Sequence, residues 1–157
     1  MEIRNLVNEL IDKNITIASM ESCTGGGFAN SITNIEGASD ILKFSAVTYS
    51  NEYKIRMGVP EEIIDKYSVY SFEVSDSMAL NISNFSHSDL GVGITGKLNR
   101  VDKNNPFGED NVVFISIFDK REDKYYREKI EAVCESRSKN KDLVIAKICE
   151  MIREIIK

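Results

Sequence analysis

The sequence is poor in the residues that build metal sites, disulfide frameworks and histidine-based catalysis. Its 157 residues include no tryptophan, two prolines, a single histidine (His87) and three widely spaced cysteines (Cys23, Cys134 and Cys149). An odd number of scattered cysteines is typical of a reducing cytosol and argues against a disulfide framework. Because no CxxC or HxxxH pair exists, neither a metal nor another cofactor is expected. One histidine also makes a Ser-His-Asp triad hard to assemble.

An excess of positive charge and long apolar runs are missing too. The net charge of -5 argues against a nucleic-acid-binding protein, although single basic residues could still contact a small phosphate. No apolar run approaches the ~20 residues of a membrane span, so no membrane partner is expected. Residues Met1–Leu10 have the pattern of an amphipathic helix rather than of a signal peptide. These features predict a cytoplasmic protein.

Helical and strand patterns alternate along the chain, and the length is that of one domain over residues 1–157. The expected fold is α/β, a single-domain three-layer α/β/α sandwich with a mixed sheet of about five or six strands. The stretch Gly96–Asp110 is predicted to be a long loop, and loops of this length are often functional. The predicted strands are Ile15–Met20, Phe44–Ser50, Leu90–Thr95, Asn111–Phe118 and the edge strand Lys124–Glu131. The predicted helices are centred on Ile3–Ile11, Phe28–Thr33, Asn51–Met57, Glu61–Tyr67, Val74–Phe85 and Leu143–Ile156.

The segment Ser22-Cys23-Thr24-Gly25-Gly26-Gly27 follows the first predicted strand and precedes a helix. Glycines let backbone N–H groups approach an anion, and the helix that follows adds a favourable dipole. The segment is not a Walker A loop, since the GK[ST] ending is missing. A tight turn that packs a strand against a helix would leave the same pattern.

Two nucleophiles are conceivable. Ser39 could attack a substrate if Lys54 served as its base, with Tyr49 relaying a proton or holding a carboxamide. The pKa of such a lysine would have to fall from about 10.4 towards neutrality, through burial or a cationic neighbour. Cys23 is the other candidate, with His87 as its only possible histidine partner. An N-cap serine, a solvated lysine and a buried packing cysteine are the ordinary alternatives, and spacing alone does not exclude them.

Four segments resemble, in order, the CinA C-terminal domain family. The first, Ala18–Gly26, is similar to the family's "AESCTGG" signature, and Asn34–Ser39 is similar to its "D-x-x-G-A/S-S" turn. The third, Val47–Lys54, resembles "V-x-Y-S/A-N-E-A-K", and Leu90–Gly96 resembles the "A-x-A-V-T/S-G" strand.

The resemblance implies a nicotinamide-nucleotide amidase, which converts nicotinamide mononucleotide to nicotinic acid mononucleotide and ammonia. It implies a Ser-Lys mechanism with Ser39 as nucleophile, Lys54 as base and Tyr49 as assisting tyrosine. Arg137 resembles the arginine of the family's "x-G-D-R" segment and suits a phosphate. It further implies a homodimer and the stand-alone form, without the N-terminal companion domain of many relatives. The remaining implied substrate-binding residues are Ser22, Thr24, Gly25, Gly26, Asn51, Thr95 and Gly96.

The chain departs from the family after Thr95-Gly96. Where the family continues "I-A-G-P-x-G-G", this chain has Lys97–Lys103 (KLNRVDK), with no glycine or proline and with new basic residues. Three interpretations stay open: a substitute phosphate contact, a different carboxamide substrate, or loss of catalysis. In the last case the domain would be a nucleotide-binding module without hydrolysis, which the family name associates with DNA-uptake or repair pathways.

Overall fold

The computed structural model describes residues 2–99 and 110–157, which alternate between helices and strands. The helices are α1 (Glu2–Lys13), α2 (Gly27–Thr33), α3 (Asn51–Arg56), α4 (Glu61–Tyr67), α5 (Phe72–Ser86) and α6 (Arg137–Ile155), with a short 3-10 helix at Ala38–Asp40. The strands are β1 (Ile17–Glu21), β2 (Leu42–Val47), β3 (Leu90–Gly96), β4 (Val112–Asp119) and β5 (Lys124–Glu131).

The five strands form one mixed sheet in the order β2-β1-β3-β4-β5. Strands β2, β1 and β3 run parallel, whereas β4 and β5 are joined on antiparallel. Parallel neighbours need crossover helices, which are provided by the segments that follow β1 and β2. The predicted mixed sheet within a three-layer α/β fold is therefore confirmed.

Alternating side chains of the central strands bury against helices on both faces of the sheet. Ile17 belongs to a core shared with α1, α2 and α6, whereas its neighbour Ala18 belongs to a second core shared with α4 and α5. Helix α5 lies very close to β3, because a Cβ atom at Gly93 would lie 2.3 Å from the carbonyl oxygen of Ser75. The glycines of β3 thus set the distance between helix and sheet.

The helix ends agree with the polar residues beside them. Ser71 caps α5, and its hydroxyl accepts a hydrogen bond from the backbone N–H of Val74. Helix α6 begins at Arg137, well before the apolar pattern that starts at Leu143, because the Ser136 hydroxyl caps it by accepting from Lys139 N–H. Within residues 2–99 and 110–157, no helix combines the length and apolarity that a membrane crossing requires.

Candidate active site

The candidate site lies where the parallel strands β1, β2 and β3 end. Carboxyl ends of parallel strands meet at one edge of a sheet, which is the usual place for a ligand in α/β folds. Two backbone hydrogen bonds join the three ends: Ser22 N–H donates to Ile94 O at 3.1 Å, and Thr48 N–H donates to Glu21 O at 2.8 Å. The segments that leave the three strands are therefore held side by side.

Lys54 is the buried cation of this site. Its side chain enters from α3, and the residue is only 3 % exposed. The Nζ atom donates to Ser22 Oγ at 3.0 Å and to the carbonyl oxygen of Thr48 at 2.8 Å. Ser22 is itself buried, so the contact is shielded from bulk water. A buried serine–lysine pair can pass a proton between Oγ and Nζ, which is the elementary requirement of a lysine-activated nucleophile.

Glu21 is a buried carboxylate that holds the turn after β1. Its Oε1 atom accepts from the Thr24 hydroxyl at 2.6 Å and from Phe28 N–H at 3.0 Å. Its Oε2 atom accepts from Ala29 N–H at 3.0 Å and from the Ser19 hydroxyl at 3.3 Å. Four donors and the first turn of α2 compensate the buried charge. Sequence reasoning missed this role, although a glutamate directly before a glycine-rich helix start was a usable signal.

The glycine-rich turn has the tight geometry expected from its composition. Gly25 and Gly26 adopt φ values of 61° and 95°, in the left-handed region that side chains disfavour. The N–H groups of Gly25 and Gly27 donate to carbonyl oxygens within the turn. In the described part of the chain, the N–H groups of Thr24 and Gly26 have no hydrogen-bond acceptor. They belong to the same turn as Ser22 and are therefore the candidate donors for an oxyanion there.

Tyr49 and Arg137 form the exposed rim of the site. Arg137, the first residue of α6, donates from Nη2 to the Tyr49 hydroxyl at 3.2 Å and from Nη1 to the carbonyl oxygen of Leu98. Tyr49 is 63 % exposed. Arg137 thus connects the start of α6 to the segments that follow β2 and β3. The structure brings both Tyr49 and Arg137 to the same edge of the sheet as Lys54.

Thr95, Gly96 and Asn51, which the resemblance assigns to substrate binding, also lie at this edge. The Thr95 hydroxyl is buried and donates to the carbonyl oxygen of Val69 at 2.9 Å. Gly96 pairs with Val113 in the antiparallel part of the sheet, and a Cβ atom there would lie 2.6 Å from the carbonyl oxygen of Val112. Asn51 begins α3 directly after the cap Ser50. The two β3 residues therefore shape the floor of the site.

The predicted pairing of Ser39 with Lys54 is not what the structure forms. Ser39 is exposed in the 3-10 helix before β2, whereas Lys54 follows β2. The six residues of β2 separate the two positions by roughly 20 Å. Lys54 contacts Ser22 instead. Ser39 precedes β2 and Lys54 follows it, so the strand carries the two residues to opposite ends of the parallel strands.

The alternative pairing of Cys23 with His87 fails for the same reason. His87 ends α5 in a left-handed conformation just before β3 begins, which places it at the opposite edge from Cys23. Burial raises the pKa of the Cys23 thiol to about 12, and the charges of Lys54 and Arg137 offset this only in part. Cys23 is therefore a protonated packing residue at neutral pH.

The altered segment after β3 begins with a buried lysine. Lys97 is 3 % exposed; its ammonium lies 5.0 Å from the centre of the Tyr70 ring and 3.7 Å from Asp110 Oδ1. The Lys97 ammonium is enclosed by protein and already has these two partners. Lys97 is therefore not a solvent-exposed replacement for the glycines that the family has at this place. Residues 100–109 of the predicted loop, including Arg100, Val101, Asp102 and Lys103, lie outside the described residues.

The fold and the site define an α/β protein with a buried serine–lysine pair at the carboxyl edge of its parallel strands. The sequence profile of the CinA C-terminal domain matches residues 2–156. The chain belongs to the CinA C-terminal domain family.

Curated relatives match the chain over a little more than half of its length. A protein of Clostridium kluyveri named for competence and damage induction is 46 % identical over 88 residues, which are 55 % of this chain and 22 % of the relative. A CinA-like protein of Prochlorococcus marinus is 42 % identical over 92 residues, or 58 % of this chain and 22 % of the relative. The match thus spans about a fifth of the length of these relatives.

Solved structures share the fold at low sequence identity. The competence/damage inducible protein CihA from Agrobacterium tumefaciens superposes with a TM-score of 0.87 at 22 % identity, covering 100 % of this chain and 97 % of the other. A CinA superfamily protein from Klebsiella pneumoniae gives a TM-score of 0.90 at 16 % identity, covering 99 % and 95 %. These likenesses establish the common architecture.

Proposed function

We propose that this domain is an amide hydrolase that uses Ser22 as nucleophile and Lys54 as base, and that its substrate is nicotinamide mononucleotide. The observation that carries the proposal is the buried contact of 3.0 Å between Lys54 Nζ and Ser22 Oγ. Ser22 takes the place that the sequence resemblance had assigned to Ser39. Lys54, Tyr49 and Arg137 keep the places that the resemblance implies.

The chemistry needs Lys54 in its neutral form. Its amine then takes the hydroxyl proton of Ser22 while Oγ attacks the carboxamide carbon, and a tetrahedral oxyanion forms. We assign that oxyanion to the backbone N–H groups of Thr24 and Gly26, which have no hydrogen-bond acceptor within residues 2–99 and 110–157. The C–N bond breaks as Lys54 returns the proton to the leaving nitrogen, which departs as ammonia. Lys54 then takes a proton from water as the water oxygen attacks the acyl carbon. The ester C–O bond breaks, Lys54 returns the proton to Ser22 Oγ, and the acid is released.

Lys54 is held in place by an acceptor that is not consumed in the reaction. The carbonyl oxygen of Thr48 lies 2.8 Å from Nζ and fixes the amine whether or not Ser22 is free. Burial of Lys54 and Ser22 keeps bulk water away from the contact between Nζ and Oγ. Glu21 sets the position of Ser22 from the other side through its four hydrogen bonds around the turn.

A non-catalytic nucleotide-binding module is the second candidate. The observation in its favour is the change after Gly96, where a buried Lys97 replaces the family's Ile-Ala-Gly-Pro start. Binding of the mononucleotide without release of ammonia would support this candidate.

A homodimer and a cytoplasmic location stay predictions. Light scattering on the purified protein tests the predicted homodimer.

The deciding experiment measures ammonia released from nicotinamide mononucleotide by the purified protein. We expect release by the wild type and none above background by Ser22→Ala or Lys54→Met. Ser39→Ala is the matched control, since Ser39 is exposed at the far edge of the sheet and should leave the rate unchanged. Full activity of Ser22→Ala would contradict the proposal.

A further inference from the structure

We propose that Asn99 and Asn140 form an amide pair that holds the altered segment after β3 against α6 and thereby positions Arg137 at the rim of the site. Both are positioning residues, since their effect on a substrate passes through Arg137. Their role in substrate binding rests on the proposed function, which gives Arg137 its place at the substrate site. The fold thus compensates for the replacement of the family's Ile-Ala-Gly-Pro segment.

Asn99 adopts the backbone conformation that usually requires a glycine. It stands where the family pattern Ile-Ala-Gly-Pro has its glycine, and its φ value is 60°. Among residues with a side chain, asparagine enters this left-handed region most readily, because its short amide can hydrogen-bond nearby. The chain therefore turns after β3 although residues 97–103 contain no glycine.

The side chains of Asn99 and Asn140 share one backbone partner and bond to each other. Asn140 is completely buried in α6; its Nδ2 atom donates to Asn99 Oδ1 at 2.6 Å and to the carbonyl oxygen of Cys134 at 3.1 Å. Asn140 Oδ1 accepts from Cys134 N–H at 2.8 Å, and Asn99 Nδ2 donates to the Cys134 carbonyl oxygen at 3.2 Å. A backbone N–H can only donate, so the amide oxygen of Asn140 has to face Cys134 and its NH₂ group has to face Asn99.

The peptide group between Leu98 and Asn99 is fixed at both of its ends. Its N–H donates to Asn111 Oδ1 at 2.7 Å, and its carbonyl oxygen accepts from Arg137 Nη1. Because the peptide group is planar, the orientation of Asn99 determines where the Leu98 carbonyl oxygen points. Arg137 is thereby held with its Nη2 atom 3.2 Å from the Tyr49 hydroxyl.

Holding Arg137 before a substrate arrives affects binding more than chemistry. An arginine side chain has many rotamers, and a side chain that is already fixed loses less entropy when a ligand binds. Lys54 is held separately, by the carbonyl oxygen of Thr48 and by Ser22. Loss of the amide pair should therefore raise KM and leave kcat nearly unchanged.

The test is a double-mutant cycle on ammonia release from nicotinamide mononucleotide by wild type, Asn140→Val, Arg137→Met and the double variant. Asn140→Val should raise KM by about tenfold, the usual effect of losing a hydrogen bond to a charged group, with kcat within about twofold of wild type. The double variant should have the KM of Arg137→Met, since Asn140 acts through Arg137. Independent effects that multiply in the double variant would overturn the positioning role.

Asn99 offers a second pair of variants that leave the core intact, because the residue is exposed. Asn99→Ala should raise KM as Asn140→Val does, and Asn99→Gly should raise it less, since glycine keeps the left-handed backbone. Thr16→Val is the matched control: its hydroxyl joins two segments through Asp89 at the opposite edge, and KM should stay at the wild-type value. A wild-type KM in Asn99→Ala, or an equal rise in Thr16→Val, would contradict the proposal.

NMR of the ligand-free protein separates the amide pair from the proposed function. The guanidinium N–H signals of Arg137 should be protected from exchange in wild type and in Thr16→Val, and should exchange like those of a solvated arginine in Asn140→Val. If this change is seen while wild type releases no ammonia, the amide pair stands and the amidase proposal fails. If wild type releases ammonia and Asn140→Val changes neither these signals nor KM, the amidase stands and the amide pair has no positioning role.

Discussion

The two edges of the parallel strands carry similar residues and differ in what those residues do. At the carboxyl edge, Glu21 and Lys54 are buried, and Lys54 contacts Ser22. At the amino edge, Ser39 is exposed. The Asp89 carboxylate there accepts two hydrogen bonds at Oδ2, from the N–H of Thr16 at 2.9 Å and from the Thr16 hydroxyl at 3.2 Å. The acid at the amino edge joins two neighbouring strand starts. The acid at the carboxyl edge holds a turn that presents a serine to a lysine.

Strand direction, and not residue type, decides which of Ser22 and Ser39 is the candidate nucleophile. Ser22 and Ser39 each lie near a glycine and near one end of a strand. The local sequence therefore favours neither of them as the nucleophile. Only the segment after a parallel strand meets the segments that follow its neighbours.

Replacing the two serines gives the sharpest contrast. Ser22→Ala should lower kcat for ammonia release by about 10³-fold or more, because the nucleophilic oxygen is lost. Ser39→Ala should leave kcat within about twofold, the usual range for an exposed surface change. Steady-state assays of both variants check the prediction. A large loss in Ser39→Ala alone would restore the pairing first expected from the sequence.

Replacing the two acids by amides compares their contributions to stability. Glu21→Gln should lower the free energy of unfolding by about 3 kcal/mol, because an amide NH₂ cannot accept from Ala29 N–H or Phe28 N–H and a buried donor loses its partner. Asp89→Asn should cost about 1 kcal/mol or less, since its amide oxygen can still accept from Thr16. Urea unfolding of both variants measures the difference. Equal losses would show that the carboxyl edge holds no special arrangement.

The pH dependence of stability and of thiol labelling at the cysteines tests whether the carboxyl edge is buried. Burial raises the pKa of Cys23 to about 12 and that of Cys149 to about 11, from an ordinary value of 9.0, whereas Cys134 is half-buried. In the unfolded chain these thiols ionise first, so the unfolded state binds fewer protons and the free energy of unfolding falls as pH rises above about 9.

Iodoacetamide at pH 8 should therefore label Cys134 of the native protein well before Cys23 or Cys149. Peptide mapping by mass spectrometry reads the order of labelling. Cys23→Ala should flatten part of the alkaline loss of stability, as judged from urea unfolding at pH 8 and pH 10. Rapid labelling of Cys23 in the native state would contradict its burial.

The smallest effect is expected at Thr48. Within the described ranges its Oγ1 atom is the one buried side-chain oxygen or nitrogen without a hydrogen-bond partner, while its backbone carbonyl oxygen holds Lys54. Thr48→Val keeps the shape and the carbonyl, and it should raise the free energy of unfolding by up to about 1 kcal/mol. Activity should stay close to wild type. Thermal unfolding and the ammonia assay check both parts, and a loss of activity would assign the hydroxyl a role at the site.

Local patterns predicted the strands, most helix ends and the family. Alternating and helical periodicities report burial directly, and caps such as Ser71 satisfy the free N–H groups of a helix start wherever the helix lies. The glycine-rich turn was also predictable, because its left-handed φ values need residues without side chains. These features depend on residues that lie a few positions apart in the chain, so they can be predicted from the sequence alone.

The sequence by itself determined the α/β class, the turn at Ser22–Gly27 and the presence of Lys54, Tyr49 and Arg137 as chemical groups. Only the three-dimensional arrangement shows that Lys54 meets Ser22 rather than Ser39, and that Glu21 is buried and holds the turn after β1. The reason is physical: strand order and direction bring residues from distant segments together. Contacts across a sheet edge leave no periodic signal in the chain.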